Sequence, residues 1–180
     1  MPSTPSELAE RCAAIELLVL DVDGVLTDGA IVIHDDGSES KAFHVRDGWG
    51  LAAWRRAGGK SALLSGRSSK AVSRRAAELG VDAVVQGAAS KAKPFRQILA
   101  ELGVAADRAC YMGDDLPDLP VLALAGLSAC PSDAVAEVRG AVHYVATVGG
   151  GRGAVREVIE MILKHRGEWD GVVGPLRGPG

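Results

Sequence analysis

Side chains of the kinds that bind and transfer phosphate follow four short apolar segments of this sequence, directly or within a few residues. They comprise carboxylates, a hydroxyl and an ammonium group, and in chain order they are Asp21, Asp23, Ser65, Lys91, Asp114, Asp115 and Asp118. One carboxylate can attack phosphorus, while a second protonates the leaving oxygen and later activates water. A hydroxyl and an ammonium group can bind phosphoryl oxygens, and carboxylates are ligands for Mg²⁺. The set is therefore suited to magnesium-dependent phosphoryl transfer.

Each of these motifs is weak evidence when it is considered alone. Asp and Gly after a strand are more often a turn, and a single lysine is more often a solvated surface residue. The prediction depends on their joint occurrence, because the carboxyl ends of parallel strands share one edge of a sheet and ligands bind there. The three acids between residues 113 and 118 would also repel one another without a cation nearby.

Strand and helix signals alternate along the chain and would bring these residues to one such edge. The sequence predicts strands at residues 17–20, 61–64, 81–85, 109–112, 127–130 and 144–145. It predicts helices at residues 48–57, 70–79, 94–102, 119–124, 134–139 and 154–164, with Asp47 capping the first of them. Residues 30–34 and 39–43 read as a β-hairpin around Asp35-Asp36-Gly37-Ser38. The pattern indicates an α/β fold, a doubly wound parallel sheet with helices on both faces and a small hairpin flap.

The length and composition fit one ordinary domain. The chain has 180 residues, of which 47% are hydrophobic and only 4% aromatic, and its net charge is −3. We expect a single domain over residues 1–180, with a core at about 15–165 and a flexible Gly/Pro-rich tail at 167–180. The charge balance argues against a nucleic-acid binder, and no apolar run approaches a membrane span. We expect a cytoplasmic protein whose three cysteines form neither disulfides nor a zinc site.

The order of the motifs resembles that of the haloacid dehalogenase-like phosphohydrolases. The matching stretches read DVDGVLTDG, LLSGR, QGAASK and YMGDDLPDLPV. The resemblance implies that Asp21 is the nucleophile, that Asp23 is the general acid and base, and that Ser65 and Lys91 bind the phosphate. Lys93 is a rival for Lys91, but the spacing of Lys91 from Gln86-Gly87 matches the family pattern.

The same resemblance implies a metal site. Asp114 looks like an Mg²⁺ ligand, beside the carboxylate of Asp21 and the main-chain carbonyl of Asp23. Asp115 and Asp118 look like auxiliary carboxylates of that site.

The chain is similar to the capless subclass of this superfamily. Neither the stretch between Asp23 and Ser65 nor that between Lys91 and Asp114 has room for a cap domain. In that subclass the subunits assemble as a homotetramer, in which neighbouring hairpins and C-terminal tails complete the open pocket. We therefore expect a homotetramer. Arg152, in a glycine-rich join, either reaches a neighbouring site or is a solvated turn residue.

The narrower resemblance is to capless members that act on a small anionic sugar phosphate in lipopolysaccharide biosynthesis. It implies hydrolysis of 3-deoxy-D-manno-octulosonate 8-phosphate to the free sugar acid and phosphate. Similar phosphatases act on nine-carbon sialic-acid-type 9-phosphates and tend to lack the arginines that match Arg46 and Arg67. Both arginines are present, which favours the eight-carbon substrate. Arg67 can bind a second anionic group of the substrate, unless both arginines form structural ion pairs instead.

Two other functions remain as alternatives. A receiver domain of a signalling protein also combines acids, a hydroxyl and a lysine, but there the lysine follows the hydroxyl near the end of the chain. Here the acidic pair Asp114-Asp115 follows both Ser65 and Lys91, which disfavours a receiver. A non-catalytic assembly module is disfavoured because the catalytic set is intact.

Overall fold

Six parallel strands form the central sheet, in the spatial order β5-β4-β1-β6-β7-β8. The structure is a computed structural model, and it describes residues 4–176. The strands of the sheet are β1 (Leu17–Leu20), β4 (Lys60–Leu64), β5 (Ala83–Val85), β6 (Ala109–Met112), β7 (Leu127–Cys130) and β8 (Tyr144–Val145). A separate antiparallel hairpin is made of β2 (Val32–Ile33) and β3 (Glu39–Ser40).

Helices cover both faces of the sheet, which confirms the doubly wound fold. They are α1 (Pro5–Ala14), α2 (Val45–Arg56), α3 (Lys70–Leu79), α4 (Ala92–Leu102), α5 (Leu119–Leu122), α6 (Ala136–Ala141), α7 (Ala154–His165) and α8 (Trp169–Val173). Helices α1, α2, α3 and α7 contribute to one buried apolar cluster, and α4, α5 and α6 contribute to the other. No helix within residues 4–176 is long and apolar enough to span a membrane.

Strand β1 lies in the middle of the sheet because its residues are apolar on both faces. Leu18 and Leu20 belong to one buried cluster, and Leu17 and Val19 belong to the other. A strand buried on both faces reads as a continuous apolar run, as the sequence predicted. Leu20 is in register with residues near the carboxyl ends of β4 and β6. The residues that follow these three strands therefore emerge at one edge of the sheet.

The hairpin is shorter than the sequence predicted. Each of its strands has two residues instead of five, and Gly37 closes the turn with a φ of +78°. Ile33 is 72% exposed, and among the described residues the hairpin forms a sheet separate from the central one. The predicted helix and strand bounds elsewhere differ by only a few residues, as is usual for frayed ends.

Asp47 does not cap the helix in which it lies, so this prediction was wrong. Helix α2 begins earlier, at Val45, and His44 is its N-cap. Asp47 is buried, and its carboxylate accepts hydrogen bonds from the main-chain N–H groups of Gly153 at 3.2 Å and Arg156 at 2.9 Å. It thus caps the first turn of α7, which has no side-chain cap of its own.

The first part of the predicted tail is helical in the structure. Residues Trp169–Val173 form α8, and Trp169 packs against the apolar cluster beside α2 and α7. The guanidinium of Arg156 lies 4.1 Å from the ring centre of Trp49 and 4.9 Å from that of Trp169. These cation–π contacts hold the segment on the body of the chain. The last four residues of the predicted tail lie outside the described part of the chain.

We predict that Asp47→Ala lowers the free energy of unfolding by about 1–2 kcal/mol, because loss of a helix cap has this cost. The measurement is urea unfolding followed by circular dichroism at fixed protein concentration. Asp107→Ala is the matched control, since Asp107 is exposed, and it should change the free energy by less than about 0.5 kcal/mol. Equal stability of the two variants would contradict the role of Asp47.

Candidate active site

A buried lysine joins two carboxylates at the edge of the sheet. The Nζ of Lys91 lies 2.8 Å from Oδ2 of Asp21 and 2.7 Å from Oδ1 of Asp118. All three residues are at most 7% exposed. Asp21 directly follows β1, and its main-chain N–H donates to the carbonyl of Met112, which continues the pairing of β1 with β6. Burial alone would lower the pKa of Lys91, but the charges of Asp21 and Asp118 outweigh it and raise that pKa, so the ammonium form is favoured.

Asp118 organises the loop that follows β6. Its Oδ1 accepts a hydrogen bond from the hydroxyl of Tyr111 at 2.6 Å, in addition to that from Lys91. Its Oδ2 accepts hydrogen bonds from the main-chain N–H groups of Asp114 and Asp115, at 3.0 and 3.2 Å. Gly113 is required here, because a Cβ at this position would lie 2.4 Å from the carboxylate carbon of Asp118. Both oxygens of Asp118 are thus engaged by the protein.

Asp114 differs from Asp118 because one of its carboxylate oxygens accepts no hydrogen bond from the described residues. Its Oδ1 is buried and has no hydrogen-bond partner among residues 4–176. One carboxylate oxygen from each of Asp21, Asp114 and Asp118 lies within 4.8 Å of the others. Burial and the neighbouring carboxylates raise the pKa of Asp114 to about 7. Burial raises the pKa of Asp21 to about 6, and the charge of Asp118 contributes, although Lys91 opposes the shift.

These carboxylates fit a divalent cation of the Mg²⁺ type. The group has three acids and one lysine, and its donors are hard oxygen atoms. One buried oxygen of the group has no hydrogen-bond partner in the part of the chain that the structure describes. Gly24 allows this close approach, because a Cβ there would lie 2.0 Å from Oδ2 of Asp114. Asp21 and Asp114 have the oxygen atoms that could hold the ion, whereas those of Asp118 are already bound.

Ser65 and Arg67 line the same cleft as these acids. Ser65 is 2% exposed, and its main-chain N–H donates to the carbonyl of Val85, which fixes the loop at the end of β4. Its Oγ accepts a hydrogen bond from the main-chain N–H of Arg67 at 3.2 Å. The resulting cleft has a volume of about 470 Å³. It brings together the predicted residues Asp21, Asp23, Ser65, Arg67, Lys91, Asp114, Asp115 and Asp118.

The hairpin contributes two charged residues that the sequence analysis did not identify. Lys41 Nζ contacts Oδ1 of Asp23 and lies 3.1 Å from Oε1 of Glu39. Glu39 in turn binds Arg67, with 2.6 Å between Oε2 and Nη2. Tyr111 was also missed, since it lies within the apolar β6 and reads as core. Lys41 and Glu39 carry no local signal, because their partners Asp23 and Arg67 lie 18 and 28 residues away in sequence.

Arg46 is not brought into this cleft within one chain. It lies exposed in the first turn of α2 and lines a second cleft, of about 710 Å³, together with Arg152 and Arg156. Arg152 Nη2 lies 3.6 Å from Oδ2 of Asp28. The rival lysine, Lys93, is exposed on α4, whereas Lys91 is buried in the cleft.

Comparison with known proteins places this arrangement in a family. Residues 50–126 match the family model described as haloacid dehalogenase-like hydrolase. The chain is 40% identical over 168 residues to 3-deoxy-D-manno-octulosonate 8-phosphate phosphatase KdsC of Yersinia pestis, covering 93% of this chain and 90% of that protein. The chain belongs to the KdsC family of haloacid dehalogenase-like hydrolases. KdsC of Salmonella typhi is 42% identical over 160 residues, covering 89% of this chain and 85% of that protein.

A solved structure shows the same likeness in three dimensions. This chain is 38% identical to 3-deoxy-D-manno-octulosonate 8-phosphate phosphatase of Moraxella catarrhalis. That structure is a complex with a magnesium ion, a phosphate ion and a KDO molecule. The two align with a TM-score of 0.94 over 96% of this chain and 99% of that one. The family resemblance read from the sequence is therefore confirmed.

The raised pKa values predict how stability depends on pH and Mg²⁺. Because Asp21 and Asp114 have folded-state pKa values of about 6 and about 7, against 3.8 ordinarily, the folded state binds their protons more tightly than the unfolded state does. Their contribution to stability is complete below pH 3.8 and is lost as the pH rises through about 6 and about 7. In EDTA, this part of the free energy of unfolding should therefore decrease between pH 5 and pH 8, and Mg²⁺ should restore it more at pH 8.

Thermal unfolding in EDTA and in Mg²⁺ at the two pH values measures this effect. Asp114→Asn, which cannot titrate, isolates the contribution of that carboxylate and should lose most of the stabilisation by Mg²⁺. A wild-type Tm that Mg²⁺ leaves unchanged at pH 8 would show that the acids do not form a cation site.

Proposed function

We propose that this chain is a single-domain, Mg²⁺-dependent phosphomonoesterase that hydrolyses 3-deoxy-D-manno-octulosonate 8-phosphate to the free sugar acid and phosphate. The observation that carries the proposal is the buried contact of Lys91 with Asp21, beside an oxygen of Asp114 that has no partner among the described residues. The named activity of the relatives and the phosphate and KDO bound in the Moraxella catarrhalis enzyme support the same substrate.

The reaction uses two carboxylates in succession. Asp21 attacks phosphorus and forms an aspartyl phosphate, while the P–O bond to the sugar breaks and Asp23 gives its proton to the leaving alkoxide oxygen. Asp23, now ionised, takes a proton from water, whose oxygen attacks phosphorus. The P–O bond to Asp21 then breaks, which releases phosphate and restores both acids to their initial states.

The remaining residues of the cleft stabilise charge on the phosphoryl group. Lys91 and the hydroxyl of Ser65 bind its non-bridging oxygens, whose charge must be offset during transfer. Asp21, Asp114 and the main-chain carbonyl of Asp23 would hold Mg²⁺, which would supply the further positive charge that a phosphate dianion needs beside these acids. Asp115 and Asp118 are auxiliary carboxylates, and Asp118 acts through its hold on Lys91.

Arg67 selects a substrate that carries a second anionic group. It is half-exposed at the mouth of the cleft, and a guanidinium binds a carboxylate through two parallel hydrogen bonds. In the free protein Glu39 holds this guanidinium at 2.6 Å, so the substrate carboxylate would replace an internal one. The nine-carbon 9-phosphates also pair a phosphate with a carboxylate, but the named activity of the relatives does not favour them.

We predict that kcat/KM is highest for 3-deoxy-D-manno-octulosonate 8-phosphate in a panel of sugar phosphates. The panel should include a nine-carbon sialic-acid-type 9-phosphate and a hexose 6-phosphate without a carboxylate, with phosphate release as the measurement. Arg67→Met should lower kcat/KM for the sugar-acid phosphate by about tenfold or more, since a charge-assisted hydrogen bond contributes roughly 1.5–3 kcal/mol. A preference for the nine-carbon substrate would overturn the substrate assignment and leave the reaction class intact.

We further propose that Arg46 reaches the substrate from a neighbouring subunit of a homotetramer. Two observations support assembly: Arg46 lies outside its own cleft, and the hairpin exposes Ile31, Val32 and Ile33. Exposed apolar residues grouped in this way are typical of interfaces. Sedimentation velocity should give the mass of four chains for the wild type and a smaller mass for Ile33→Asp. A fully active monomer would contradict the proposal.

We propose the cytoplasm as its compartment. Cys12, Cys110 and Cys130 are all free and buried, as in proteins of reducing compartments.

A further inference from the structure

Lys41 is a buried cation that the reaction above does not use. Its side chain is only 1% exposed, although it belongs to a hairpin that stands away from the sheet. Its ammonium group contacts the carboxylates of Asp23 and Glu39. Burial of an ammonium group costs free energy unless the charge is paired. The two carboxylates beside the cleft provide this pairing for Lys41.

The contact with Lys41 makes the two carboxylate oxygens of Asp23 different: one accepts a hydrogen bond, and the other accepts none from the described residues. Oδ1 is bound by Lys41. Oδ2 is buried and has no hydrogen-bond partner within the described residues, since Arg67 Nε is 3.9 Å away, beyond hydrogen-bonding distance. A carboxylate that exchanges a proton with two successive partners needs one such free oxygen in a fixed position.

We propose that Lys41 is a positioning residue, which binds Oδ1 of Asp23 and thereby directs Oδ2 towards the leaving oxygen and the attacking water. This inference rests on the proposed function, because it assumes that Asp23 is the general acid and base. In this role Lys41 acts through Asp23 and does not itself bind the phosphoryl group or Mg²⁺. Glu39 completes the arrangement, since it binds Lys41 on one side and Arg67 on the other.

A merely structural role would have a different signature. If Lys41 only fixed the hairpin to the body of the chain, its loss would weaken substrate binding and assembly, so KM would rise while kcat changed little. If Lys41 positions the general acid, its loss should depend on the leaving group. A sugar alkoxide needs a proton in order to leave, whereas 4-nitrophenolate leaves without one.

The test compares Lys41→Met with the wild type on the sugar-acid phosphate and on 4-nitrophenyl phosphate. Because a positioned general acid contributes about 10²–10⁴-fold, we expect kcat for the sugar-acid phosphate to fall by at least about tenfold. We expect KM to change little and kcat/KM for 4-nitrophenyl phosphate to fall less. Lys41→Gln, whose amide can donate one hydrogen bond to Asp23, should recover part of the loss. Lys93→Met is the matched control, since Lys93 is exposed, and it should match the wild type.

The outcomes separate this inference from the proposed function. If the wild type hydrolyses both esters and Lys41→Met reduces them equally, or reduces neither, the positioning role is wrong and the proposed function stands. A wild type that hydrolyses no phosphomonoester in Mg²⁺ would overturn both. If Lys41→Met does not fold, the ratio of the two activities in Lys41→Gln decides the question, and a ratio equal to that of the wild type would overturn the inference.

Discussion

The buried contacts of Lys91 with Asp21 and Asp118 are the constraint on which the rest of the site depends. Charges removed from water are costly unless they are paired and hydrogen-bonded, and removal of one partner leaves the others uncompensated. Three elements must therefore meet at one point: the end of β1, the start of α4 and the loop after β6. The parallel register of β1 with β6, and the hydrogen bonds of Asp118 to Tyr111 and to the loop, bring them there.

The negative charges of the carboxylates around Lys91 are not fully balanced, and this excess explains why the site would take a cation and a phosphate ester. Lys91 offsets one charge, while Asp114 adds another and keeps a buried oxygen without a partner in the described chain. A divalent cation would complete the balance, and a phosphate dianion could then enter a cleft otherwise lined by acids. The net charge of −3 is therefore an average. It combines a strongly acidic centre with the cationic side chains of Lys41 and Arg67 near its edge. The hairpin joins this edge through Lys41, so a segment outside the sheet is connected to the reacting carboxylates.

The sequence predicted those parts of the molecule that local patterns determine. Leu17–Leu20 could be assigned to a central strand because only a strand buried on both faces is apolar throughout, and the acids after it could be placed at the sheet edge by the general rule for parallel sheets. Asp47 could not be assigned correctly, because its hydrogen-bond partners lie in α7, far along the chain. Lys41 was missed for the same reason, since its partner Asp23 precedes it by 18 residues. Long-range contacts chosen by packing and charge leave no periodic signal.

The central claim is that Asp21 carries the phosphoryl group during the reaction, and its most direct test is to trap that intermediate. The enzyme would be mixed with its sugar-acid phosphate and Mg²⁺, quenched in acid within the first turnovers, digested and analysed by mass spectrometry. The account predicts one phosphoryl group on the peptide that contains Asp21, and neither that adduct nor phosphate release in folded Asp21→Asn. Sustained phosphate release by Asp21→Asn, or a phosphoryl group on a different residue, would contradict it.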